Sequence, residues 1–348
     1  MKKKSNWKIQ NLDFAQWNRA QLESILADFS GKRVLVIGDV GVDRYTLGTV
    51  ERISPEAPIP IVLVQEEKLK LGLAANVADN VQALEGTAWM VGVVGRDRNA
   101  QDLKNLLRKS HISSSYLVSD PTRRTVLKER VVSDRQQLLR IDYENSHQVS
   151  PSVERALRKQ IINRVRVSDV VILQDYAKGM IQKSLAQEVF ALAKRHGKIV
   201  AVDPNSKTPI AMYGGASVLT PNAKEAEQIS GVKISDEQTL CAAGGRILKQ
   251  TGAHHVVITR GKDGMAIFTA GSKVCQIIPT FAQEVYDVSG AGDTVISVLS
   301  LALASGAQIH EACILANLAA AVEVGKRGTA TVSIGEILEV LEYFAPKI

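Results

Sequence analysis

Continuous apolar runs that alternate with helix-patterned segments constrain this chain more than any other feature. Arg33-Val34-Leu35-Val36-Ile37-Gly38 is a short apolar run of the kind a fully buried strand shows. Comparable runs recur at Ala88–Val94, Asp169–Leu173, Ile199–Asp203, near Val218 and at His255–Thr259. Between them, Ala74–Leu84, Ala100–Lys109, Val153–Arg164, Ser184–His196, Lys224–Ser230 and Glu237–Gln250 read as helices. A hairpin-like pair is expected around Met265–Phe268 and Val274–Ile278. Three helical segments follow, at Asp293–Ala304, Ile309–Val324 and Ile334–Tyr343. Such alternation predicts an α/β fold whose mostly parallel sheet carries helices on both faces. With 348 residues and 45% apolar content, the chain can bury a core of that size in one large domain.

Two stretches break the rhythm. Residues 1–30 read as an N-terminal extension, with Lys2-Lys3-Lys4 as a solvated tail and Trp17–Phe29 as one short helix that stops at Ser30-Gly31. Residues 49–64 carry Pro55, Pro58 and Pro60 and end in Ile61-Val62-Leu63-Val64. Proline belongs in turns or on edge strands, so this stretch reads as an irregular ribbon outside the main sheet. Paired with the β-rich residues 124–140, it is expected to form a small β lid on a domain spanning 31–348. Its exposed, partly apolar strand surface predicts a homodimer through the lid.

Several function classes are set aside by composition. Cys241, Cys275 and Cys313 are too widely spaced for a zinc pattern or a disulfide framework, which suits free thiols in a reducing compartment. Lysine and arginine total 43 against 36 acidic residues, a balance of +7 that favours an anionic small substrate. No basic run interleaved with aromatics points to nucleic acid. Ser5-Asn6-Trp7-Lys8 is not a signal-peptide core, and the apolar stretches near Val295–Ala304 and Ala312–Val324 are too short or too interrupted to cross a bilayer. A cytoplasmic location without membrane or nucleic-acid partners is the expectation.

The sharpest chemical signal is Asp287-Val288-Ser289-Gly290-Ala291-Gly292-Asp293-Thr294. Two glycines permit a tight turn with inward-facing amides, and a helix pattern begins immediately after it. Amides and dipole at a helix start favour a phosphate. Asp293 in the first turn is placed to accept the proton of an attacking hydroxyl, as phosphoryl transfer requires. An ordinary glycine turn with a helix-start acid is the plain alternative. Neither a Walker A pattern nor a Gly-x-Gly-x-x-Gly fingerprint after the first strand is present.

This string resembles the Asp-Thr-x-Gly-Ala-Gly-Asp signature of the ribokinase-like (PfkB) sugar kinases. Gly72-Leu73-Ala74-Ala75-Asn76-Val77-Ala78 resembles that family's first signature, Thr220-Pro221-Asn222 with Glu225 its Asn-x-x-Glu motif, and Thr259–Gly264 its nucleotide-side loop. The resemblance implies a three-layer ribokinase-like fold, ATP and magnesium. Segments around Gly38–Tyr45, Arg52–Pro60, Gln136–Asp142, Asp175–Gly179 and Val285–Asp293 are similar, more narrowly, to the D-glycero-D-manno-heptose-7-phosphate kinases. Those enzymes phosphorylate the anomeric hydroxyl of a sugar phosphate on the route to the ADP-heptose of lipopolysaccharide inner core. Many carry a fused nucleotidyltransferase domain with a His-x-Gly-His motif; that motif is absent here, and a stand-alone kinase is expected.

What the resemblance implies for each residue is as follows. Asp293 is the base, and Gly290, Ala291 and Gly292 are the anion cradle. Asp43, Gly72 and Asn76 meet the sugar. Arg44, Arg52, Lys128, Arg130 and Arg140 are candidates for its distant phosphate, because a planar guanidinium binds two oxygens, although solvated surface roles compete. Asp175 and Lys178 stand at the carboxyl end of a strand, where open α/β sheets bind ligands. Asn222 and Glu225 serve magnesium and the ATP phosphates through water. Thr259, Gly261 and Gly264 border the nucleotide, and Asn317 approaches adenine or merely packs between helices. Asp287 and Ser289 would bind a monovalent cation such as K+. Two departures stand out: Leu73 replaces the second glycine of the first signature, where it would crowd the sugar or shift the loop. Asn205 follows Val202-Asp203-Pro204 where the heptose kinases have lysine, a role that could pass to Lys207. Another sugar or nucleoside kinase of the family, or a non-catalytic sugar-phosphate sensor, are the competing readings.

Overall fold

A computed structural model describes residues 7–12, 17–133, 136–326 and 328–344; the Lys2-Lys3-Lys4 tail lies outside them. The apolar run 33–38 forms β2 (Arg33–Gly38), near the middle of the main sheet. It pairs in parallel with β5 (Thr87–Val94) on one side and β9 (Val170–Gln174) on the other. Beyond β9 the parallel order continues through β10 (Ile199–Asp203), β11 (Val218–Leu219) and β12 (His255–Thr259). The expected hairpin is β13 (Met265–Thr269) and β14 (Val274–Ile278), which add antiparallel strands. β6 (Leu117–Ser119) closes the far side against β5.

Strand alternation divides the core into two layers. Val34 and Val36 of β2 face one apolar cluster, and Leu35 and Ile37 face the other. The first layer is covered by α1 (Arg19–Ala27), α2 (Ala74–Ala83), α3 (Arg98–Lys109), α8 (Ala291–Ala304), α9 (Ile309–Val324) and α10 (Ile334–Phe344). The second is covered by α4 (Pro151–Val165), α5 (Lys183–Arg195), α6 (Ala223–Ser230) and α7 (Glu237–Thr251). Every residue of α8 from Asp293 to Ala302 is buried, which explains why its sequence lacks a polar face.

The N-terminal extension is corrected. β1 (Lys8–Asn11) extends the main sheet, pairing in parallel with β14, and Trp7 stands edge-on to Phe268 at 5.2 Å. α1 buries Leu22, Ile25 and Leu26 in the core. The described part of 1–30 is therefore integral to the domain. A four-residue edge strand is too short to announce itself by pattern, and its partner is near the other end of the chain.

The lid is a second, four-stranded sheet, separate from the main one. β3 (Val40–Ile53) and β4 (Pro60–Leu73) are 14 residues each, longer than the 49–64 expected, and β7 (Val126–Ser133) and β8 (Gln136–Tyr143) complete it. Pro55 and Pro58 fall in the tip turn and Pro60 opens β4, so none interrupts a ladder. The stretch is the outer end of a long antiparallel hairpin whose ladder shifts register at Leu47/Gly48 and at Val50/Arg52.

Candidate active site

Asp293 lies in the first turn of α8, beneath the lid, and is 7% exposed. Gly290 caps the helix with a φ of 102°, a conformation that disfavours a side chain. A Cβ there would stand 3.1 Å from Oε1 of Glu323 and 3.3 Å from Nδ2 of Asn76. Ala291 and Gly292 belong to the helix itself, so the cradle is the helix's own first turn, whose amides have no intrahelical acceptor. Small residues of α2 and a buried polar network hold α2 against α8. Thr294 donates to Asn80 at 3.1 Å, Asn80 to the Asn76 carbonyl at 2.9 Å, and Ser297 to the Val77 carbonyl at 3.2 Å.

Both oxygens of the Asp293 carboxylate are engaged. Asn76 donates to Oδ2 at 2.8 Å, while Tyr176 and Gln174 donate to Oδ1 at 2.7 and 3.2 Å. Burial pushes the carboxyl up to about 6, opposed by the Asn76 and Tyr176 hydrogen bonds and by Lys128. Such a group is mostly ionised at neutral pH yet far more basic than an exposed aspartate. Gln174 also donates to Asp203 at 2.5 Å, and burial, then Glu225 and Asp293, hold the Asp203 carboxyl well above its ordinary value.

The lid contributes the cations. Asp43, Lys128 and Arg130 share one face: Asp43 is in register with Lys70 and Lys128, and the Arg130 guanidinium stands 3.0 Å from Asp43 in an ion pair with off-line hydrogen-bond geometry. A Cβ on Gly72 would come within 3.1 Å of the Asp43 carboxyl carbon, so glycine permits this approach. Burial holds Lys128 and Lys70 below the ordinary lysine value. A cleft of about 700 Å³ runs under this face, lined by Tyr45, Lys68, Lys70, Arg130, Tyr286 and Asp287.

Four phosphate and sugar candidates are repositioned. Arg44 points to the opposite face of β3 from Asp43, 3.9 Å from Glu129. Arg52 is exposed and lies nine residues along β3 from Asp43, roughly 30 Å away at strand spacing. Asp175 is buried and accepts from Thr208 and Tyr213, both at 2.7 Å. Lys178 is tied to Glu144 at 2.5 Å. Arg140 remains on the Arg130 face, hydrogen-bonded to Asp142 at 2.9 Å. Within 175–179 it is Tyr176, rather than Asp175 or Lys178, whose side chain touches Asp293.

On the nucleotide side, Asn222 and Glu225 form a capping box at the start of α6, each bonded to the other's backbone at 2.9 Å. Thr259 ends β12 in a bridge with Asn222, and Gly261 and Gly264 flank the turn that follows. Asn317 is buried and donates to the Pro279 carbonyl at 2.7 Å, in the segment that follows β14. Asp287 accepts from the Ser289 and Gly328 amides at 2.9 and 3.1 Å. Leu73 has a φ of 57° and is 5% exposed, its side chain against Gly41 and directed into the core rather than the sugar cleft. Asn205 closes a turn by accepting the Lys207 amide at 3.0 Å, and Lys207 is exposed. Gln174, Lys70 and Glu323 lie in no motif, and Tyr176 and Asp203, though inside segments that resemble the heptose kinases, have no role assigned from sequence.

The profile of the pfkB family carbohydrate kinases matches residues 32–335. The bifunctional protein HldE of Geobacter sulfurreducens is 43% identical over 320 residues, covering 92% of this chain and 65% of that protein. HldE of Helicobacter hepaticus is 42% identical over 307 residues, covering 88% and 63%. The chain thus spans just under two thirds of the length of these curated relatives. Among solved structures, a putative ribokinase from Agrobacterium tumefaciens superposes with a TM-score of 0.74 at 20% identity, over 92% of this chain and all of that one. Phosphofructokinase-2 from Escherichia coli in complex with potassium superposes with a TM-score of 0.75 at 18% identity, over 91% and 99%. At those identities the structural likeness concerns the fold.

Proposed function

This chain belongs to the pfkB family of carbohydrate kinases and is an ATP-dependent sugar kinase, and from that premise we propose that its acceptor is the anomeric hydroxyl of D-glycero-D-manno-heptose 7-phosphate. The product would be the 1,7-bisphosphate, on the route to ADP-heptose. The observation that carries the reading is the cationic lid face over Asp293, where Lys70, Lys128 and Arg130 suit a sugar already bearing a phosphate. The heptose-kinase likeness of 52–60 and 285–293 narrows the sugar.

Asp293 takes the proton of the attacking hydroxyl, and the first-turn amides of α8 receive the charge that develops on the transferring phosphoryl group. Asp43 and Asn76 orient the sugar hydroxyls, with Arg130 fixing the Asp43 carboxylate. Closure of the lid excludes water. Magnesium, bound with ATP, neutralises phosphate charge. Glu225 would hold it through water, and the fit is electrostatic: Asp203 is crowded by both Glu225 and Asp293. Asp287 and Ser289 would hold a potassium ion, the ion named with the Escherichia coli phosphofructokinase-2 structure. That corner is acidic, because Glu323 is fully buried near Asp287, and burial and Asp287 outweigh the opposing Ala330 amide and Lys326. The subunits would pair through the lid in a cytoplasmic homodimer. No helix among the described residues is long and apolar enough to cross a membrane.

An ADP-release assay over a panel of sugars tests the substrate. Turnover with heptose 7-phosphate is expected. Turnover with another sugar alone rejects the substrate and keeps the class, and silence across the panel favours the sensor.

A further inference from the structure

We propose that Tyr176 is a positioning residue that holds the Asp293 carboxylate in the one orientation presenting Oδ2 to the sugar hydroxyl. This rests on the reading of Asp293 as the base. The geometry is asymmetric. Oδ1 receives two donors, Tyr176 at 2.7 Å and Gln174 at 3.2 Å, while Oδ2 receives only Asn76 at 2.8 Å. A carboxylate has about two lone pairs on each oxygen, so Oδ1 is filled and Oδ2 keeps one acceptor position. The tyrosine is itself fixed at three points. Its backbone amide donates to the buried Asp39 at 3.2 Å, Lys128 lies 5.3 Å from its ring centre, and its hydroxyl ends on Asp293. Asp39 also accepts the Lys178 amide at 3.1 Å, which locks the loop that carries Tyr176.

The hydroxyl has a second effect. A donor to the ionised form favours ionisation. The other charged or titratable groups around Asp293 come from every neighbouring element: Lys128 and Asp43 from the lid, Asp203 from β10 and Glu323 from α9. Lys128 acts with Tyr176, and the three acids act against it. Removing the hydroxyl leaves the acids less opposed, so the Asp293 carboxyl rises.

Tyr176→Phe keeps the ring under Lys128 and deletes only the donor. The kcat–pH profile of the variant is expected to show its acid limb displaced upward by about one pH unit, roughly a fivefold loss at pH 6. The sugar KM should stay within about twofold of the parent. An unmoved limb, or a raised KM with kcat intact, overturns the inference, because Tyr176 would then act only in packing or sugar binding. A carboxyl-carbon NMR titration of Asp293, assigned by its loss in Asp293→Asn, reads the same displacement without turnover. If Asp293→Asn keeps full rate, the base assignment fails by itself. If the NMR titration is unchanged in Tyr176→Phe, the positioning role fails by itself.

Discussion

Asn76 and Asp293, 217 positions apart in sequence, meet through a 2.8 Å hydrogen bond from the side-chain amide to Oδ2, buried between α2 and α8. The contact joins the sugar-side signature to the anion turn. Under the proposed mechanism it places the amide that would read a sugar hydroxyl and the carboxylate that would take its proton within one small volume.

Asp293→Asn removes the acceptor while keeping the shape. We expect kcat to fall about 10²–10⁴-fold, with the sugar KM little changed, in a coupled ADP-release assay. In the parent enzyme the active form is the ionised carboxylate, whose pKa burial pushes up to about 6. The rate should therefore decline as pH falls through about 6. An acid limb near 4 would contradict the buried environment.

Leu73→Gly restores the family's glycine pair and is nonetheless expected to destabilise. The φ of 57° with a ψ of −140° is backbone that only glycine adopts freely and costs leucine about 1–3 kcal/mol, which glycine relieves. Against this stand the loss of a buried leucine side chain, about 2–5 kcal/mol, and the added backbone entropy of glycine, about 0.5–1 kcal/mol. A net loss of roughly 1–3 kcal/mol in urea unfolding is the expected result. Because the side chain faces Gly41 and not the cleft, the sugar KM should hold.

Glu323→Gln should change the pH dependence of stability. Burial, then repulsion from Asp287 and Asp293, pushes the Glu323 carboxyl up to about 8 from its ordinary 4.5. The folded state therefore keeps a proton that the unfolded chain gives up. Stability from this group is complete below about 4.5 and declines as pH rises through about 8. In potassium-free buffer, the Tm of the glutamine variant should gain on the parent between pH 5 and 8 and run level with a constant offset above that.

Ile53, Ile59, Val64 and Leu139 of the lid are 60%, 57%, 55% and 55% exposed. If they pair two subunits, Val64→Glu combined with Leu139→Glu converts a dimer to a monomer in light scattering at micromolar concentration. A parent protein that is already monomeric removes the lid-dimer proposal.

The alternation of apolar runs with helical segments determined the parallel sheet and its two helical layers, because burial on both faces demands continuous apolar strands. Gly290–Asp293 and Asn222–Glu225 were likewise legible, since a helix start is set by local residues. Tertiary structure alone decided which side chains reach the site. Asp175 and Tyr176 are neighbours in sequence just past the end of β9, but the chain turns one toward Thr208 and Tyr213 and the other onto Asp293. Arg44 and Arg130 look alike in composition, yet opposite faces of the lid send one to Glu129 and the other to Asp43. Lys70 and Glu323 have no motif at all; Glu323 matters through its closeness to Asp287 and Asp293, and Lys70 through its closeness to Asp43 and Asp287, distances in space that spacing along the chain does not encode.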